Sequence, residues 1–211
     1  MYRPPAFRED RRDVLHALIG AHPLATLVTA GAQGLMANLI PFTLDAARGE
    51  QGVLRAHLAR ANDQLAELGA VDETLVIFHG PASYITPSWY AAKAEHGRVV
   101  PTWNYAVVQA WGRPAVIDDP AWLRVQIEEL TRTQEELRTK PWHVSDAPEV
   151  FIESQVKGIV GLEIPIAHIE GKWKVSQNRP MADREGVVTG LFAEGQSPDM
   201  ARIVAERAAE K

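Results

Sequence analysis

The chain has 211 residues, 46% hydrophobic and 23% charged, the proportions of a globular protein with room for one well-formed core. Its 22 Lys and Arg against 27 Asp and Glu give a formal net charge of -5, which excludes a general attraction to nucleic acid or anionic lipid and leaves only local basic patches. Cysteine is absent, which excludes disulfides and thiolate sites. MYRPPAFREDRR lacks the apolar core of a signal peptide and no apolar run reaches membrane-spanning length, so a cytoplasmic protein is expected.

After an extended start at Tyr2 to Phe7, the spacing of Val14, Leu15, Leu18 and Ile19 predicts a helix with one apolar face, ending near Gly20. LATLVTA (24–30) and LMANLIPFTL (35–44) read as a β-hairpin around GAQG, with Gly31 and Gly34 free to take positive φ. VLRAHL (53–58) predicts a third strand. ARANDQLAEL enters a short helix that Asn62 or Asp63 can cap, and TLVIFHG (74–80) predicts a buried fourth strand.

Residues 80–112 hold half of the tryptophans, with Trp89, Tyr90, Trp103 and Tyr105 interleaved with Pro81, Pro87 and Pro101. Proline fixes φ and removes a backbone donor, so these aromatics sit on stiff segments beside Ser83, Ser88, Thr102 and Asn104. That mixture suits a flat ligand, and it equally describes core or dimer-interface packing. NYAVVQAWG and RPAVI continue the sheet. Asp119 and Pro120 open a helix through Leu137, 145–157 reads as another, and IVGLEIPIAHIEGKWKVS as two strands joined at Glu170 and Gly171. A helical tail from about 183 to 211 ends one domain, 1–211. Antiparallel-type strands with helices between them predict a mainly β, α+β fold, a barrel decorated by helices.

No dinucleotide-binding glycine motif, P-loop or zincin signature occurs, and none of the seven histidines pairs with another at helical ligand spacing, so no metal site is expected. Arg60-Ala61-Asn62-Asp63-Gln64 offers a guanidinium, side-chain amides and a helix start, the donor types that an anion needs. Read alone, it equally describes a helix cap beside a solvated charge.

MYRPPAF, HLARANDQ, GPASYITPSWY, VPTWNY with VVQAWG, and KWKVSQNR, in that order, closely resemble the PaiB-type FMN-binding negative transcriptional regulators. The resemblance implies an FMN-binding split β-barrel, similar to pyridoxamine phosphate oxidases, working as a homodimer with FMN between subunits. It places His57, Arg60, Asn62 and Gln64 at the phosphate and ribityl chain, with Arg60 on the phosphate. It sets Ser88, Trp89, Tyr90, Thr102 and Asn104 against the cofactor, brings Lys174, Ser176, Gln177 and Asn178 from the C-terminal strand, and Asn38 to the ring edge. Asp63 stands where the family usually has proline and Gln109 where histidine is common, so catalytic residues stay unassigned.

The family implies a flavin-dependent repressor, yet no helix-turn-helix pattern occurs, and the helix from Asp119 mixes Glu128, Glu129, Glu135 and Glu136 with Arg132 and Arg138. Direct DNA binding therefore has no support in charge or motif. An FMN-dependent oxidase or reductase is the alternative, since a flavin carries its own chemistry. A haem-handling protein of the same broad fold is a third reading, which the phosphate-suited loop disfavours.

Overall fold

A computed structural model describes residues 1–195 and 197–209; residues 196, 210 and 211 of the expected helical tail lie outside the described residues. In chain order, a 3-10 turn (Pro5–Phe7) leads into β1 (Arg8–Glu9), α1 (Arg12–Ala21), β2 (Leu24–Gly31), β3 (Gly34–Pro41), β4 (Thr43–Asp45), β5 (Val53–Ala59) and α2 (Gln64–Leu68). Then come β6 (Thr74–Ile85), a 3-10 turn (Pro87–Trp89), α3 (Ala91–His96), β7 (Thr102–Gly112), β8 (Ala115–Ile117) and α4 (Pro120–Glu135). A 3-10 turn (Val144–Asp146), α5 (Glu149–Lys157), β9 (Ile159–Pro165), β10 (His168–Lys174), α6 (Met181–Glu194) and α7 (Pro198–Ala209) complete the order. The strands form two sheets, of six and four, in which β1–β10, β2–β3, β2–β6, β4–β5, β5–β9 and β8–β9 pair antiparallel, which makes the fold α+β. The chain gathers into two compact units.

The first unit comprises Met1–Leu15, His79–Val108 and the chain from Glu170 on. Its strands run in the order β1-β10-β7-β6. Glu9, only 3% exposed, receives hydrogen bonds from the Arg11 amide and guanidinium and from Arg207, which ties β1 to α7. The Arg207 guanidinium also lies over the buried Trp173 ring of β10. Apolar Val187 and Leu191 of α6 and Met200 and Val204 of α7 are fully buried. Gly186 and Gly190 let α6 close on the turn before α3. A Cβ at Gly186 would stand 1.9 Å from the Trp89 carbonyl oxygen, and one at Gly190 within 2.5 Å of three indole atoms.

The second unit comprises His16–Phe78 and Gln109–Ile169. Here β2 pairs with β3 from Leu24↔Pro41 to Gly31↔Gly34, and with β6 through Leu27↔Val76. The four-stranded sheet runs β4-β5-β9-β8. β5 is buried along most of its length, and its Arg55 reaches Glu129 of α4 at 2.6 Å and lies 4.9 Å from the Trp122 ring centroid. Leu123, Val144, Ile152 and Val156 form the apolar contact that carries α4 and α5.

Several boundaries differ from expectation for identifiable reasons. The strand pair at 159–174 is not joined at Glu170 and Gly171: β9 ends at Pro165, and Gly171 sits inside β10 opposite Glu9. Glycine is there because a Cβ would stand 2.2 Å from Leu15 and 2.9 Å from the Glu9 carbonyl oxygen, so a close approach passes for a turn. Of the hairpin glycines only Gly34 has positive φ, at 93°; Gly31 instead makes room for the Glu67 carboxylate. The helix expected over 145–157 begins at Glu149, because Pro148 excludes the preceding residue from helical backbone. β6 and β7 are longer than expected and absorb part of the aromatic stretch, while α3 was not expected at all.

Two measurements test these contacts. Gly190→Ala presses a methyl group into the Trp89 ring and is expected to cost about 1–3 kcal/mol in chemical denaturation; an unchanged midpoint would mean that the ring yields. Burial works to raise the Glu9 pKa, but the bonds from Arg11 and Arg207 outweigh it and lower the value from 4.5 to about 2. Because the folded pKa is depressed, this stabilisation is complete above pH 4.5 and is lost as the pH falls toward about 2. Glu9→Gln should flatten that part of the stability profile; an unaltered slope there would contradict the assignment.

Candidate functional site

In the first unit, Tyr90, Thr102, Asn104, Lys174, Ser176 and Asn178 line one small pocket of about 100 Å³, with Val100, Pro101 and Arg179 completing its wall. Alternation along β7 turns Asn104 inward, where it is 1% exposed and its Nδ2 donates to Ser176 Oγ at 2.9 Å. Ser176 follows β10 with φ of 67°, the one non-glycine with positive φ among the described residues. Lys174 Nζ donates to Thr102 Oγ1 and to the Trp103 carbonyl oxygen. Burial, then the neighbouring Lys172 and Arg179 charges, push its pKa down. The Arg179 guanidinium lies 4.6 Å from the Tyr90 ring centroid. Tyr90 is 3% exposed and its hydroxyl has no hydrogen-bond partner; burial raises its pKa, with Arg179 opposing.

Three other residues expected here lie elsewhere in this unit. Gln177 is turned to the backbone, accepting the Val175 amide and donating to the Trp173 carbonyl. Trp89 packs on Gly190, and Ser88 is exposed and accepts from Lys93.

In the second unit the residues expected at the cofactor bond to one another or to the fold. Gln64 is fully buried, donates to Leu27 O and Thr29 Oγ1, and accepts from Asn38 Nδ2 at 2.9 Å. Asn62 Oδ1 accepts the Gln64 amide, the capping role foreseen for it, while Asp63 makes no side-chain cap. His57 Nδ1 lies 2.7 Å from Gln126 Oε1. Arg60 grips Asp118 with both terminal nitrogens, at 2.9 and 2.6 Å, and donates to the Lys157 and Ile159 carbonyls. It also borders a cavity of about 840 Å³ beside α4 and α5, where Arg124 is likewise paired with Glu149. Among the described residues no group of three or more His, Asp or Glu is placed to hold a metal, and no helix is long and apolar enough to cross a membrane.

Two antiparallel sheets with helices between their strands, and a small pocket of donors beside an aromatic ring, define an α+β protein with a polar ligand pocket. The chain belongs to the PaiB-type family: the family model described as "Putative FMN-binding domain" matches residues 1–168. An uncharacterized protein of Emericella nidulans is 37% identical, over 98% of this chain and 97% of its own. The Bacillus subtilis protein named Protease synthase and sporulation protein PAI 2 is 28% identical over 90% of this chain and 89% of its own. Among solved structures, the flavocytochrome Anf3 of Azotobacter vinelandii matches the fold with a TM-score of 0.59 at 14% identity, over 82% of this chain and 72% of that one.

FMN is the cofactor of that family, and the residues present fit its polar parts in the first unit. The donor set of Lys174, Arg179 and Asn178 suits phosphate or hydroxyl oxygens, and the partnerless Tyr90 hydroxyl calls for an acceptor. Arg179, within KWKVSQNR, carries no local signal of a site; its stacking on Tyr90, distant in sequence, is what brings it to the pocket.

Gln64 tests the distinction between a ligand contact and a buried scaffold amide. Gln64→Leu strands Asn38 and Thr29 and should lower folding stability by about 1–3 kcal/mol; thermal unfolding indistinguishable from wild type would contradict the scaffold role.

Proposed function

We propose that this protein is an FMN-binding homodimer that works through the redox chemistry of its flavin, with any control of gene expression passing through the state of that flavin. The observation that carries the reading is the pocket of donors closed by Tyr90 in a chain of FMN-binding family. FMN, when bound, supplies one- and two-electron transfer. The chain's own residues hold it: Lys174, Asn178 and Arg179 would take its oxygens, Thr102 and Asn104 fix the lysine and the Ser176 turn, and Tyr90 with the neighbouring backbone excludes water. Arg60, Asn62, His57 and Asn38 would contribute only by giving up bonds they already make.

Trp103, 58% exposed, stands edge-on to the exposed Tyr84 at 6.1 Å between centroids, an apolar patch suited to a subunit interface. A second copy covering it agrees with FMN lying at a subunit interface. Light scattering should give twice the chain mass, and Trp103→Glu should give a monomer; a wild-type monomer would remove this part of the reading.

A redox enzyme acting on a small planar substrate is favoured over a direct DNA reader by the charges of α4. Arg124 pairs with Glu128 and Glu149, Arg132 with Glu136, and Arg138 just beyond the helix with Glu135, so that surface offers no basic stripe to phosphates. Fluorescence-quenching titration should show saturable binding of FMN, and gel shift with the protein's own upstream DNA should show no specific complex at low salt. Absence of flavin binding would overturn the reading; a specific, salt-dependent complex would return the role to direct repression. Reoxidation of the reduced protein by electron acceptors no faster than free FMN would count against the enzyme.

A further inference from the structure

We infer that the pocket bounded by Tyr90, Thr102, Lys174 and Arg179 is an oxyanion subsite, taking a phosphate or carboxylate group of a bound small molecule; it rests on the reading of the chain as a flavin-binding protein. Charge points to an anion here. Some cations of the first unit meet carboxylates, as Arg3 does with Asp10 and Glu170 and Arg11 with Glu9, while Lys93 and Arg184 donate to the neutral oxygens of Ser88 and Arg179. Among the described residues Lys172, Lys174 and Arg179 form no ion pair, although they are close enough for Lys172 and Arg179 to disfavour charge on Lys174. Lys174 spends two of its three N–H groups on neutral oxygens. Lys172 lies over the Tyr2 and Tyr105 rings and Arg179 over Tyr90. Gathering like charges in a partly buried place without a counterion is unfavourable, and an arriving anion removes that cost.

Shape and chemistry agree. None of the residues that line the pocket is acidic; Asp183, whose charge Tyr90 senses, accepts the Ala92 amide with Oδ1 and keeps its Oδ2 buried without a partner. A volume of about 100 Å³ is several times below that of pockets that hold a whole ring system and suits one compact anionic group. The Tyr90 hydroxyl, on a side chain 3% exposed, is a donor without an acceptor. Ser176 holds a left-handed backbone through its bond from Asn104, and this turn carries Asn178 and Arg179 to the pocket wall.

The test uses the full chain with Lys174→Met, Arg179→Gln and the charge-conserving Lys174→Arg. FMN and riboflavin are titrated by fluorescence quenching, and inorganic phosphate by phosphorus NMR on protein with and without flavin. If the anion is the cofactor's own phosphate, Lys174→Met and Arg179→Gln each weaken FMN by roughly tenfold or more and leave riboflavin unchanged. If it belongs to a second small molecule, both flavins are unchanged and inorganic phosphate is weakened by a similar factor. In either case Lys174→Arg recovers most of the loss. Equal affinities of wild type and variants for all three probes would overturn the subsite. So would an equal loss of FMN and riboflavin that Lys174→Arg does not repair, which marks a structural lysine. Should the wild type bind no flavin, the flavin-free phosphate titration still decides this inference separately from the proposed function.

Discussion

The first unit depends on a buried carboxylate. Glu9 sits at the β1–β10 pairing with two arginines on it, and one of them, Arg207, also covers Trp173 from α7. Next to it, Gly171 allows β1 to approach β10 more closely than any side chain would permit. Together these fix the register of β10 at Gly171, and the strand's period of two then sets Trp173 inward and Lys172 and Lys174 on the other face. The charges at the pocket are where they are because a neutralised charge one strand away holds the register. A buried ion pair is weak ground for stability but good ground for register, which is its use here.

The second unit shows the opposite economy of polar groups. Gln64 points into the sheet and satisfies two acceptors while Asn38 satisfies it, so the strand-to-helix loop is built from the inside. Arg60 is fixed on Asp118 at the surface. Donors already satisfied gain little from a ligand, because each new bond must replace an old one. The pocket on β10 differs in holding cations whose partners among the described residues are neutral.

Much of the fold was legible in the sequence. Periodicity and caps placed most elements within a few residues, as with Asp119 capping α4 through the Ala121 amide. The failures have physical causes. Gly171 looks like a turn in sequence, but its reason is Leu15, far away in the chain. Six of the residues that the family resemblance assigned to the cofactor do surround one pocket, because Tyr90, β7 and the end of β10 meet there. The Arg179 stacking and the internal bonding of Gln64 were not legible, since each depends on partners 26 or more positions away that no local pattern specifies. Gln177 and Trp89 carried the right residue types for a ligand and are used for backbone and helix packing instead.

A flavin reading places few demands on protein side chains as acids or bases, which agrees with a pocket of fixed donors. It demands instead that the chain hold an anionic, planar cofactor at a defined stoichiometry. The visible absorption spectrum of the purified protein, compared before and after saturation with FMN and desalting, measures this directly. The account predicts the two-band spectrum of an oxidised flavin at one FMN per chain. A haem-type spectrum, or a colourless protein that retains no FMN after desalting, would contradict it.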